Sequence, residues 1–123
     1  YKDIDQMGIV YYTRYLEYFE EARTELLDKL GYKISSIENS GFQLPVVSAH
    51  CKYKSSAKLE DQLIVKASIF DMPKVKLVIN YQIQNKLSNK QIVYGYTKHA
   101  FIDNFGLPKR VPNFFLKKLS EHF

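Results

Sequence analysis

Residues 15 to 30 read YLEYFEEARTELLDKL. Within them Tyr15, Tyr18 or Phe19, Ala22, Leu26 and Leu30 recur at three- and four-residue steps, the period of one apolar stripe along an α-helix. Glu25 and Lys29 form a favourable i,i+4 pair on the polar side, and Gly31 stands where a helix end favours a residue of positive φ. Upstream, Thr13 offers a cap, so the helix is expected to start between Val10 and Arg14. Tyr15, Leu16, Tyr18 and Phe19 make its first turns apolar over a wide arc. A helix of this kind needs cover on more than one side.

Beyond a polar linker, Ser35 to Gly41, the apolar period changes from 3.6 to 2. Val47, Ala49, Cys51 and Tyr53 alternate with Ser48, His50, Lys52 and Lys54. Leu63, Val65, Ala67 and Ile69 follow, then Val75, Leu77, Ile79, Tyr81 and Ile83, and Ile92, Tyr94 and Tyr96 open a fourth run. Turn signals lie between the runs at Asp71 to Pro73 and Leu87 to Asn89. The residues before Gly8 offer a further edge strand. One long helix followed by an antiparallel meander is an α+β arrangement, and wrapping the sheet around the helix buries both apolar faces. Val78 and Phe70, on the minor faces, point to pairing with another copy.

At 123 residues the chain is read as one domain, 1–123, and 46% hydrophobic with 25% charged residues is ordinary globular usage. No apolar run approaches a membrane span, and the first ten residues hold no signal-peptide core. Cys51 is the single cysteine, which excludes an intrachain disulfide and fits a reducing cytoplasm. His50, His99 and His122 are not at metal-ligand spacing, so no metal is expected. The net charge of +5 favours anionic partners. No run of five or six basic residues appears, which argues against nucleic acid.

The chemistry concentrates just before the helix, in Asp5-Gln6-Met7-Gly8-Ile9-Val10-Tyr11-Tyr12. A carboxylate beside a glycine, ahead of unsatisfied helix N–H groups, has the ingredients of an acyl-transfer site. Asp could attack or activate water. The residues alone leave a second reading open, in which Asp5 caps a turn and Gly8 permits a bend.

The pattern Asp5-x-x-Gly8-x-Val10-Tyr11-Tyr12-x-x-Tyr15, running into Tyr18-Phe19-Glu20-Glu21-Ala22-Arg23, resembles the hotdog-fold acyl-CoA thioesterases. The similar branches are the 4-hydroxybenzoyl-CoA thioesterase type and the short bacterial enzymes associated with the Tol–Pal system. Supporting likeness lies in Leu44 to Val47, Cys51 to Tyr53, and the late Gly106, Pro108, Arg110 and Pro112. The resemblance implies a hotdog fold, an antiparallel sheet of about five strands around one central helix. It implies homodimers with active sites at their interface, often paired as dimers of dimers. By the same likeness Asp5 is the catalytic carboxylate, the Tyr12 backbone N–H polarises the thioester carbonyl, and Gly8 allows close approach. Coenzyme A enters as part of the substrate, and no separate cofactor is implied. Two positions depart from the pattern. Tyr12 stands where many Tol–Pal-type members carry His, and Arg14 where Asn is usual.

Tyr11, Tyr15 and Tyr18 are expected to shape the acyl pocket, which suits a short or medium aliphatic chain or an aromatic group. Lys52, Lys54, Lys74 and Lys76 are candidates for the phosphates of coenzyme A, with a lysine-protected strand edge as the alternative. His50 and His99 read as solvated strand-face residues and Cys51 as packing. One of Glu20 and Glu21 is expected nearer the sheet, which makes a helical carboxylate a lesser catalytic candidate. The tail from Lys109 reads as a short helix covering the sheet edge, with peripheral membrane contact as the alternative. The rival functions are a non-catalytic acyl-CoA binder or envelope-assembly partner, and a dehydratase, which would want a histidine beside the carboxylate.

Overall fold

A computed structural model describes residues 12–31, 41–55, 57–58 and 61–122. In chain order the elements are α1 (Tyr12–Lys29), β1 (Phe42–Gln43), β2 (Val46–Tyr53), β3 (Leu63–Ser68), β4 (Lys76–Asn85), β5 (Gln91–Ala100), β6 (Ile102–Asp103) and α2 (Asn113–Ser120). The helix starts within the expected window. It ends as the sequence requires, with Leu30 N–H donating to Leu26 C=O (3.1 Å), Gly31 N–H to Asp28 C=O (2.9 Å), and Gly31 at φ +89°.

Four strands form an antiparallel sheet in the order β2-β5-β4-β3, and β1 pairs with β6 as a separate two-stranded ribbon. The anticipated strand before Gly8 lies outside the described residues. β4 is the spine of the core: Leu77, Ile79, Tyr81 and Ile83 are buried at every second position. Phe19 of α1 stacks on Tyr81 at 4.3 Å with planes 10° apart. The helix comes this close because β5 has no side chain at Gly95. A Cβ there would sit 2.5 Å from both the Phe19 ring and the His50 carbonyl oxygen. Together these elements make the hotdog architecture, a sheet curled against one long helix.

Three expectations need correction. Ile92, Tyr94 and Tyr96 do not share an inward face, because the β4–β5 register shifts between Ile83 and Gln84. The extra residue, Ile92, is buried together with Val93, and such a bulge reverses the parity of all that follows. Tyr94 and Tyr96 therefore face outward, whereas Thr97 and His99 are buried. The alternating run on β2 is not half-buried: every residue but Cys51 is exposed. Among the described residues β2 is the outermost strand, and α1 packs toward β3 at the opposite edge. Finally, the C-terminal helix covers the β1–β6 ribbon rather than an edge of the main sheet. Phe115 packs edge-on against Phe101 (5.5 Å), Phe114 lies 5.6 Å from Phe42, and Leu119 is buried.

Candidate active site

Tyr12 is the first residue of α1, so its N–H is one of the helix-start donors that no intrahelical carbonyl accepts. The first turns of the helix lie against the end of β2. The Tyr15 ring is 5.9 Å from Tyr53 and 6.2 Å, edge-on, from Tyr18. Tyr15 is 3% exposed and Ala57 fully buried beside it. Burial pushes the Tyr15 phenol above its ordinary range, against a smaller opposing effect from the Ala57 backbone. Arg14 pairs with Glu17 and holds its guanidinium 5.0 Å from the centre of the Tyr18 ring. Tyr15 and Tyr18 thus build one aromatic wall at the helix start. Asp5, Gly8 and Tyr11 lie outside the described residues.

The basic candidates do not converge within one protomer. Lys54 follows β2 and donates its N–H to Ile92 C=O at the start of β5. Lys76 pairs with Ala100 at the far end of that ten-residue strand, and Lys74 lies in the turn before it. A ten-residue strand spans about 30 Å. All three lysines are exposed.

Neither Glu20 nor Glu21 approaches the sheet. Both are exposed, on the solvent side of α1 with Glu17 and Glu25, so the expected asymmetry between them is absent. Cys51 is half-buried and packed on the core, and burial pushes its thiol up. His50 is exposed and stacks on Tyr96 at 5.2 Å, as a strand-face histidine does.

His99 is not solvated; it is fully buried. Its Nδ1 lies 3.2 Å from Leu44 C=O, so Nδ1–H donates and Nε2 is left to accept from the Thr97 hydroxyl at 2.8 Å. Thr97 Oγ1 then accepts from the Tyr81 hydroxyl at 2.7 Å, and Arg23 donates to Tyr81. Desolvation lowers the His99 pKa from 6.5 to about 4. The ring is therefore a neutral crosslink in the core. Its burial and Gly95 both escaped the sequence reading for one cause: the bulge at Ile92 reversed the faces of β5. Among the described residues no cluster of His, Cys, Asp and Glu could hold a metal, and no helix is long and apolar enough to cross a membrane.

A sheet curled on one long helix is the hotdog fold, and likeness to named thioesterases places this chain among the thioester hydrolases that use it. The family model described as "Thioesterase-like superfamily" matches residues 1–119, and the chain belongs to that superfamily. Among curated relatives, a putative acyl-CoA thioesterase, YneP of Bacillus subtilis, is 38% identical over 103 residues, covering 84% of this chain and 74% of its own. A DHNA-CoA thioesterase from Staphylococcus aureus superposes with a TM-score of 0.87 at 26% identity, over 99% of this chain and 84% of that one. A second Staphylococcus aureus protein, solved in complex with CoA, gives a TM-score of 0.88 at 16% identity over 98% and 77% of the two chains.

Proposed function

We propose that the protein is an acyl-CoA thioesterase that hydrolyses a short- or medium-chain or aromatic acyl-CoA to the free acid and coenzyme A. The observation that carries this reading is the start of α1 beside a wall of Tyr15 and Tyr18, with the Tyr12 N–H free of any intrahelical acceptor. A carbonyl oxygen held at that N–H gains stabilisation as negative charge develops on it. Asp5 acts as general base or as nucleophile. As base it takes a proton from water while the water oxygen bonds to the carbonyl carbon; the C–S bond then breaks and the thiolate leaves, to be protonated. As nucleophile its carboxylate oxygen bonds to the carbonyl carbon, the C–S bond breaks and the thiolate leaves to be protonated, and water then opens the mixed anhydride to the free acid and the regenerated carboxylate. Gly8 allows the chain to approach the thioester, and Tyr11 adds to the acyl pocket. Neither route needs a metal or redox cofactor.

The protomer works as a homodimer joined through β2. Among the described residues this eight-residue edge strand pairs on one side, with β5, and exposes Val46 and Val47, and an apolar edge is a template for another strand. Lys54 of one protomer and Lys74 or Lys76 of its partner can then serve one nucleotide, which the separation within a single chain forbids. Pairing of two dimers extends the same assembly. The lone thiol suits a cytoplasmic enzyme.

Thiol release from a panel of acetyl- to palmitoyl-, benzoyl- and hydroxybenzoyl-CoA, with Asp5→Asn beside wild type, tests the proposal. The expected result is hydrolysis that Asp5→Asn lowers by about a hundredfold or more, while the variant keeps its fold and still binds coenzyme A. No hydrolysis across the panel, or activity indifferent to Asp5, would overturn it and favour an acyl-CoA-binding or envelope-assembly role.

A further inference from the structure

The face of the sheet opposite α1 is neither flat nor evenly polar. A cavity of about 390 Å³ opens there, within the range of small-molecule sites. Register fixes its floor as two cross-strand rows. One runs Lys52–Tyr94–Gln82–Lys66 and the other His50–Tyr96–Asn80–Ser68, each taking one residue from β2, β5, β4 and β3 in turn. The first row therefore has a lysine at each end and an aromatic ring and an amide between. Its ends are about 14 Å apart at Cα, a span that two extended lysine side chains can close from both sides. Among the described residues no carboxylate lines the cavity and neither Lys52 nor Lys66 forms an ion pair. In the second row His50 stacks on Tyr96 with planes 21° apart and Lys98 Nζ lies 5.5 Å from the centre of the same ring, so the open aromatic surface is Tyr94, 40% exposed, in the first row. Phe70, 66% exposed, stands at the rim.

We propose that this outer cleft is a second binding site, separate from the helix start, that takes an adenine nucleotide. Each part of that ligand has its counterpart. The exposed Tyr94 ring stacks a base, and Asn80 and Gln82 present the amides that pair with adenine's amino and ring nitrogens. Gln82 has one amide N–H committed to Gln91 Oε1 at 2.7 Å, which fixes its orientation and leaves its own carbonyl oxygen to accept. The phosphate sits between the two ammonium groups, which bind it as point charges. A simple aliphatic ligand would leave the lysines and amides unused, and a bare anion would leave the ring unused.

Isothermal titration with AMP at physiological salt tests this, with adenosine and inorganic phosphate as separate arms. Lys66→Ala and Tyr94→Ser are both surface changes, and circular dichroism checks their fold. The expected result is saturable binding of one AMP per chain, with adenosine and phosphate each far weaker. Either substitution should weaken AMP about tenfold or more and leave kcat and KM for thioester hydrolysis unchanged. Absence of saturable AMP binding would overturn the site, as would binding indifferent to both substitutions. Phosphate binding as tight as AMP would reduce it to an unspecific anion patch and overturn the nucleotide assignment. A rise in acyl-CoA KM in Lys66→Ala would make the cleft part of the substrate's own path and overturn a separate site. Phe70→Asp splitting a larger assembly, with no AMP bound to either form, would show the face to be an interface between copies.

Discussion

Gly95 is the residue on which the helix–sheet contact turns. Its missing side chain lets Phe19 reach Tyr81, and the obstruction a Cβ would meet includes the His50 carbonyl, which is backbone and cannot swing aside. Gly95→Ala is expected to cost ~1–3 kcal/mol, the usual range for overpacking a core, read as a lower denaturation midpoint at unchanged m-value. Phe19→Leu combined with Gly95→Ala should recover part of that loss, because it removes the ring that the new methyl meets. His99 makes a second residue-scale prediction. Its pKa falls from 6.5 to about 4 on folding, so between these values the unfolded chain binds more protons than the folded one. The contribution is fully present above about pH 6.5 and is lost as the pH falls toward 4, up to about 3 kcal/mol in all. Stability measured against pH should show this slope in wild type and lack it in His99→Gln, which is less stable at neutral pH but flatter below it.

At the scale of elements, β2 and β5 divide what the sequence revealed from what it concealed. The helix from Tyr12 to Lys29 and the spine of β4 were legible because their burial follows an unbroken period, 3.6 in one and 2 in the other. β5 broke its period with one additional residue, and nothing in Gln91 to Ala100 marks a bulge; its effect exists only in pairing with β4. The apolar alternation of β2 was real in the sequence, yet the described chain leaves it exposed, since a residue pattern records the need for cover and not the molecule that supplies it. Hence β2 carries the element-scale prediction. Ala49→Pro removes a ladder N–H and stiffens the middle of an edge strand. It should shift the protein from dimer to monomer in sedimentation velocity at micromolar concentration. An unchanged sedimentation coefficient would place the dimer contact elsewhere.

For the whole molecule, linkage between assembly and folding follows from that exposed edge. If dimerisation covers β2, the melting temperature must rise with protein concentration, and Ala49→Pro should abolish that dependence. A scanning-calorimetry series over a hundredfold range of concentration checks both statements. Of the candidate site, Tyr12, Tyr15 and Tyr18 were legible because they ride on the helix whose period identified it. The lysines were legible only as a surplus of charge. Their separation along β5 depends on strand register, which composition does not encode.

The buried chain of donors ties four separate segments together: Arg23 on α1, Tyr81 on β4, Thr97 and His99 on β5, and the Leu44 carbonyl ahead of β2. Its last proton, on Nδ1 of the fully buried His99, is held by the carbonyl of half-buried Leu44. Such a proton should give a slowly exchanging imidazole resonance, resolved from the amide envelope at neutral pH. It leaves when an opening separates β5 from the Leu44 segment ahead of β2. The protein thus carries its own clock for that opening, readable at one nucleus without label or dye.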